Sequence, residues 1–116
     1  MERMMIVEDH SAFAQALELV LGSDTRISLA RTLEEGRAMI GTGEPFDVVV
    51  LDLSLPDGEG SELIPEIRKR DSRTSVVVLS AREDVGEVAS AAGADAGIHK
   101  ETPLPEIIST LRSLAE

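Results

Sequence analysis

The stretch Val48-Val49-Val50-Leu51-Asp52-Leu53 decides the reading of this chain. Its apolar side chains follow one another without alternation. A strand reads that way when both of its faces are covered, as in a parallel sheet flanked by helices. An aspartate interrupts the run near its end. An unpaired buried carboxylate is costly, so a bare structural role does not suit Asp52.

Working outward, four more short apolar runs appear: Met4–Val7, Ile27–Ala30, Val76–Leu79 and, more weakly, Ala96–His99. Ile27-Ser28-Leu29 alternates, as a half-exposed edge strand does. Helix patterns fill the intervals. Phe13, Ala16, Leu17, Val20 and Leu21 form an apolar stripe at helical spacing, with Gly22 to close it. Thr32-Leu33-Glu34-Glu35 has the form of a capping box, and the helix it opens ends near Gly41–Pro45. Leu63, Ile64 and Ile67 mark a third helix with Pro65 near its first turn. Val85, Val88, Ala89 and Ala92 mark a small-faced fourth one carrying Gly86. Thr102 as cap and Pro103 at the first helical position start a fifth. Its stripe is Leu104, Ile107, Ile108, Leu111, Leu114 and Ala115. Five strand–helix units in series predict an α/β fold: a five-stranded parallel sheet, doubly wound, with helices on both faces.

Composition agrees and excludes much else. The 116 residues suffice for one domain, and 42% hydrophobic with 28% charged residues is globular usage. With no cysteine, disulfides, thiolate metal sites and cysteine nucleophiles are excluded; with only His10 and His99, so is a multi-histidine metal site. Against 22 acidic residues stand 11 basic ones, a net charge of −11. Such a surface is unsuited to phosphate backbones or anionic membranes. No stretch approaches a membrane span, and Glu8-Asp9 comes too early for a signal-peptide core. The expectation is a cytoplasmic protein with no direct nucleic-acid or membrane contact.

In an open α/β sheet, ligands gather beyond the carboxyl ends of the strands. The first strand ends in Glu8-Asp9, the third at Asp52, the fourth at Ser80 and the fifth at Lys100. Three carboxylates on one edge repel each other, and a hard divalent cation relieves that. Asp9 and Asp52 are candidate direct ligands of Mg²⁺ or Mn²⁺, with Glu8 acting through water and the Ser54 backbone carbonyl adding an oxygen. A carboxylate can attack phosphorus to give an aspartyl-phosphate. The cation and the Lys100 ammonium would neutralise the phosphoryl oxygens, and the Ser80 hydroxyl would hydrogen-bond one. His10 reads as lining the mouth of the site rather than as a ligand. His99 has no assignable role, and Gly58 and Gly60 serve the loop after Pro56.

Ordered and spaced as they are, these residues make the chain resemble response-regulator receiver domains, most closely those of the NarL/FixJ type. The motifs are Ile6-Val7-Glu8-Asp9-His10, Asp52-Leu53-Ser54-Leu55-Pro56-Asp57-Gly58-Glu59-Gly60, Leu79-Ser80-Ala81, and Gly93-Ala94-Asp95 with Lys100. The resemblance covers essentially the whole chain. It implies that Asp52 takes a phosphoryl group from a sensor histidine kinase, that Glu8 and Asp9 are the acidic metal pair, and that Ser80 and Lys100 are the family's hydroxyl switch and lysine. It implies a phosphoacceptor, not an enzyme beyond self-phosphorylation and self-dephosphorylation. The face from the fourth helix to the fifth would switch and so control an output domain or partner, with transcription the output that the resemblance implies.

Two positions depart from the family. Three residues before the lysine, where an aromatic switch is usual, stands Gly97; the only aromatics, Phe13 and Phe46, are not expected near the fifth strand. Glu101 stands where proline is common. Gly86 and Gly97 are expected to loosen the fourth-helix face. The missing aromatic favours a rival reading, a phosphate-independent interaction or dimerisation module, which retention of all five site residues opposes. An aspartate-nucleophile phosphatase wants a second aspartate where Ser54 stands. A flavodoxin-like carrier wants a phosphate loop where Glu8-Asp9-His10 stands. Residues 1–116 read as a single receiver domain, either a regulator by itself or the N-terminal part of a longer one with a helix-turn-helix output domain that binds DNA. A homodimer through the first and fifth helices, or the fourth and fifth, is the other partner expectation.

Overall fold

A computed structural model describes residues 2–115. Five parallel strands form the sheet: β1 (Glu2–Val7), β2 (Thr25–Ala30), β3 (Val48–Asp52), β4 (Ser75–Ser80) and β5 (Ala96–His99), in the spatial order 2-1-3-4-5. Between and after them lie α1 (Ser11–Leu21), α2 (Leu33–Ile40), α3 (Ile64–Arg70), α4 (Val85–Ala92) and α5 (Leu104–Ala115). The doubly wound α/β sheet expected from sequence is the fold observed. β2 is an edge strand with Ile27, Ser28 and Leu29 half-buried, as its alternation predicts.

Side chains of the inner strands alternate between two cores. Met5, Val7, Val49, Leu51, Val76 and Val78 meet α2, α3 and α4. Met4, Ile6, Val48, Val50, Val77 and Leu79 meet α1 and α5 through Leu17, Leu21, Ile107, Ile108 and Leu111. Every residue of β3 is buried. That double coverage is why the central strands are continuous apolar runs.

The α1 stripe needs correction. Ala14 is buried with Leu17 and Leu21, whereas Val20 is 41% exposed and Leu19 is 84% exposed. Helical spacing selects a stripe but not which edge of it touches the sheet. At α2, the Thr32 hydroxyl accepts from the Glu35 N–H at 3.0 Å, but the Glu35 carboxylate accepts the Arg31 N–H, so the expected capping box is only half formed. Asp57, 24 residues on, accepts the Leu33 and Glu34 N–H groups as well. At α5, the helix begins at Leu104, one residue later than expected. The Pro103 carbonyl accepts from the Glu106 and Ile107 N–H groups, so Pro103 holds the capping position rather than Thr102.

After Asp52 the chain makes a feature with no sequence forecast. Ser54–Leu55 pairs antiparallel with Gly58–Glu59, and a 3₁₀ turn over Gly60–Leu63 leads into α3. Gly58 sits at φ +148°, where a side chain is strained. A Cβ on Gly60 would fall 2.0 Å from the Asp52 carbonyl oxygen. The expectation that these glycines serve the loop is met: only glycine lets it fold back over the end of β3.

Candidate functional site: an acidic cleft at the strand ends

β1 and β3 are neighbours whose following helices lie on opposite sides of the sheet, so a cleft opens between their carboxyl ends. Glu8 and Asp9 follow β1, Asp52 ends β3, Ser80 ends β4 and Lys100 follows β5. All five residues predicted from sequence therefore lie on one edge. Glu8 and Asp52 are almost fully buried, at 4% and 3% exposure. Such burial strips a carboxylate of its hydration, a cost that a nearby cation offsets.

Lys100 supplies part of that compensation. Its Nζ donates to Glu8 Oε1 at 2.8 Å and to Asp52 Oδ2 at 3.2 Å. Burial pushes the Glu8 pKa up; the Lys100 hydrogen bond opposes this, the Asp52 charge reinforces it, and the pKa ends raised. For Lys100 burial works against the charge, but the Glu8 bond and the two carboxylates outweigh it, and its pKa is raised. The Lys100 ammonium also lies 5.2 Å from the centre of the Phe13 ring. The expectation that neither phenylalanine comes near the fifth strand is thus wrong. The start of α1 packs beside the loop after β5, a tertiary closeness that spacing does not reveal.

One positive charge does not balance three acids. Atoms of Glu8, Asp9, His10 and Asp52 suited to a metal lie within 4.8 Å of one another. Asp9 Oδ1 is buried without a hydrogen-bond partner among the described residues. An orphaned buried carboxylate oxygen in a carboxylate cluster fits a hard divalent cation. His10 was expected only at the mouth. Its ring is mostly exposed, yet Nδ1 stands 2.9 Å from Glu8 Oε1. Ser54 donates its N–H to Asp52 Oδ1 at 3.2 Å, which holds the carboxylate in orientation.

Ser80 is buried, and its hydroxyl accepts the Arg82 N–H at 3.1 Å. It does not cap α4, whose capping position is Asp84. Ser80 also accepts the Lys100 N–H on its carbonyl, tying β4 to the loop that carries the lysine. Together His10, Asp52, Ser54, Ser80, Ala81, Arg82 and Lys100 line a cavity of about 330 Å³. Arg82 was missed at the level of sequence. Its one signal is position, two residues after Ser80 and on the loop leading to α4. His99 finds a local role: its Nδ1 accepts the Glu101 N–H at 3.0 Å.

Gly97 was expected to loosen the α4 face, and the structure reverses that. A Cβ there would lie 2.7 Å from the Ala89 Cβ and 2.8 Å from the Val85 carbonyl oxygen. The glycine lets α4 lie directly on β5. Gly86, by contrast, has open space beside it.

The chain belongs to the response regulator receiver domain family, whose pattern it matches over residues 4–112. It is 38% identical over 115 residues to the KDP operon transcriptional regulatory protein KdpE of Escherichia coli, covering 97% of this chain and 50% of that protein. It is 33% identical to the transcriptional regulatory protein PmrA of Pectobacterium parmentieri, covering 97% and 51%. The chain thus spans about half the length of these curated relatives. The response regulator protein TrrA of Thermotoga maritima, solved in complex with Mg²⁺-BeF, superposes with a TM-score of 0.86 at 26% identity, covering 98% of this chain and 99% of that one. KdpE and PmrA are regulators of the OmpR type, so the expected closeness to the NarL/FixJ group is not supported. The motifs quoted for it define the receiver class and do not resolve subgroups within it.

Proposed function

We propose that Asp52 is the phosphoacceptor of this receiver domain. The observation that carries the reading is a carboxylate 3% exposed at a strand end, 3.2 Å from a lysine ammonium and beside an acidic cluster with an orphaned oxygen. An Asp52 carboxylate oxygen attacks phosphorus of a phosphohistidine on a sensor kinase. The P–O bond forms as the P–N bond breaks, and the imidazole leaves as the neutral base after taking a proton from water.

Glu8, Asp9 and Asp52, with the Ser54 carbonyl, are the residues that would hold Mg²⁺ or Mn²⁺; when bound, the cation offsets charge on the phosphoryl oxygens. Lys100 transfers part of its hydrogen bonding from Glu8 and Asp52 to a phosphoryl oxygen. The Ser80 hydroxyl donates to another. Both placements put donors where negative charge develops. The domain works in the cytoplasm, where a kinase presents its phosphohistidine. It transmits to an output domain or partner, a transcriptional one by likeness to KdpE and PmrA. The chain reads as one receiver unit, with homodimerisation as a further partner reading.

Intact-mass spectrometry after incubation with acetyl phosphate, with and without Mg²⁺, tests this. The expected result is a Mg²⁺-dependent gain of one phosphoryl mass in the wild type and none in Asp52→Ala. An unchanged gain in the variant would move the acceptor elsewhere; no gain from acetyl phosphate or from a phosphorylated kinase would overturn the reading.

A further inference from the structure

Arg82 is the cavity-lining cation whose contacts leave the cleft in two directions. Its Nη1 lies 3.1 Å from Glu59 Oε1, on the turn that folds back over Asp52. Its Nε and Nη2 grip both oxygens of Asp84, at 3.0 and 2.9 Å, at the capping position of α4. Its own N–H is held by the Ser80 hydroxyl, and its carbonyl accepts the Val85 N–H that opens α4. Arg82 therefore straps the turn after β3 to the start of α4, across a cavity that also contains Asp52.

Both partners are solvated, with Glu59 57% and Asp84 46% exposed, and pairs of that kind are weak. A phosphoryl dianion on Asp52 is a stronger and better matched acceptor for a guanidinium fork. A side chain at position 97 cannot carry the signal, because α4 fills the space beside β5. The hydrogen bonds of Arg82 give a second connection, from Ser80 and Glu59 to Asp84 and Val85.

Resting on the phosphoacceptor reading above, we propose that Arg82 couples Asp52 to α4: on phosphorylation its guanidinium leaves Glu59 and Asp84 for the phosphoryl oxygens, and the first turn of α4 is released. No bond is made or broken beyond the transfer already described. Arg82 positions α4 and takes no part in the transfer itself.

The test is amide hydrogen exchange over Val85–Ala92, with and without acetyl phosphate and Mg²⁺, the phosphoryl mass being read on the same samples. In the wild type, exchange should speed up about fivefold on modification, the size that loss of one or two such surface pairs allows. Compared at matched phosphoryl occupancy, Arg82→Ala should exchange at the fast rate in both states. Arg82→Lys, charged but without the fork, should restore part of the difference. The Arg82 Nε resonance should shift on modification in the wild type, which a merely structural arginine does not require. A wild-type difference persisting in Arg82→Ala would overturn the coupling. An unmodified Arg82→Ala that exchanges at the slow wild-type rate would also overturn it, since the strap would then hold nothing. Absence of gain in the wild type would instead sink the phosphoacceptor reading beneath it.

Discussion

Lys100 and Glu8, 92 positions apart, meet at 2.8 Å, and the same ammonium reaches Asp52 at 3.2 Å. One cation thus sits among buried acids that repel each other. The cluster is held together against its own charge, as a site awaiting a cation or a phosphoryl group must be.

That imbalance is measurable. Asp52→Asn removes one negative charge and leaves the Lys100–Glu8 pair intact. Without divalent cations the variant should be more stable than the wild type by about 1 kcal/mol, or roughly 3–5 °C in melting temperature. Adding Mg²⁺ should stabilise the wild type more and narrow the gap. Thermal melts in EDTA and in Mg²⁺ decide it; a destabilised variant in EDTA would mean that repulsion is not the dominant force.

Removing the cation should do the opposite. Lys100→Met leaves Glu8 and Asp52 buried and unpaired, a change that costs about 3 kcal/mol when a buried pair loses one partner. Urea denaturation checks it. A loss of only a few tenths would show that water already reaches both carboxylates.

The two glycines facing each other across α4 and β5 should respond with opposite signs. Gly97→Ala forces a methyl group into Ala89 and the Val85 carbonyl, and should cost about 1–3 kcal/mol. Gly86→Ala has open space within a helix and should stabilise by about 0.5–1 kcal/mol. Denaturant midpoints of the two variants provide the comparison. Equal effects would mean that α4 does not lie on β5 this closely.

Asp95 gives a pH signature away from the cleft. Burial works to raise its pKa, but the Val76 N–H at 2.7 Å and Arg68 at 3.0 Å together hold it below the ordinary 3.8. A carboxyl whose folded pKa is depressed contributes stability that is present above its unfolded value and lost as pH falls through the folded one. Asp95→Asn should therefore cost about 1 kcal/mol near neutrality. The difference from wild type should close as pH drops below 3.8. Urea midpoints on both sides of that pH test it, and a gap independent of pH would remove the charge from the explanation.

On α1, Leu17→Ala should cost about 2–4 kcal/mol and Leu19→Ala within about 0.5, since only the first is enclosed.

The strands, their parallel arrangement and the five cleft residues were legible in the chain itself. An unbroken apolar run records burial on both faces, and polar residues ending such runs record the ligand edge, because each follows from local periodicity. What periodicity does not carry was read less well. Val20 was placed inside and is outside, Thr102 was given a cap that Pro103 holds, and Phe13 was kept apart from the lysine it touches. The subgroup was misread too, since motifs shared by a whole class cannot rank its branches.

By itself the sequence determined the fold class and that Glu8, Asp9, Asp52, Ser80 and Lys100 gather at one edge of the sheet. Only the tertiary structure decided which side of α1 faces the sheet, that Lys100 bridges two acids, that Gly97 seats α4 on β5, and that Arg82 straps Glu59 to Asp84. The division has one physical cause. Periodicity and local hydrogen bonding are written in neighbouring residues, whereas distances between segments depend on how packed helices settle on the sheet.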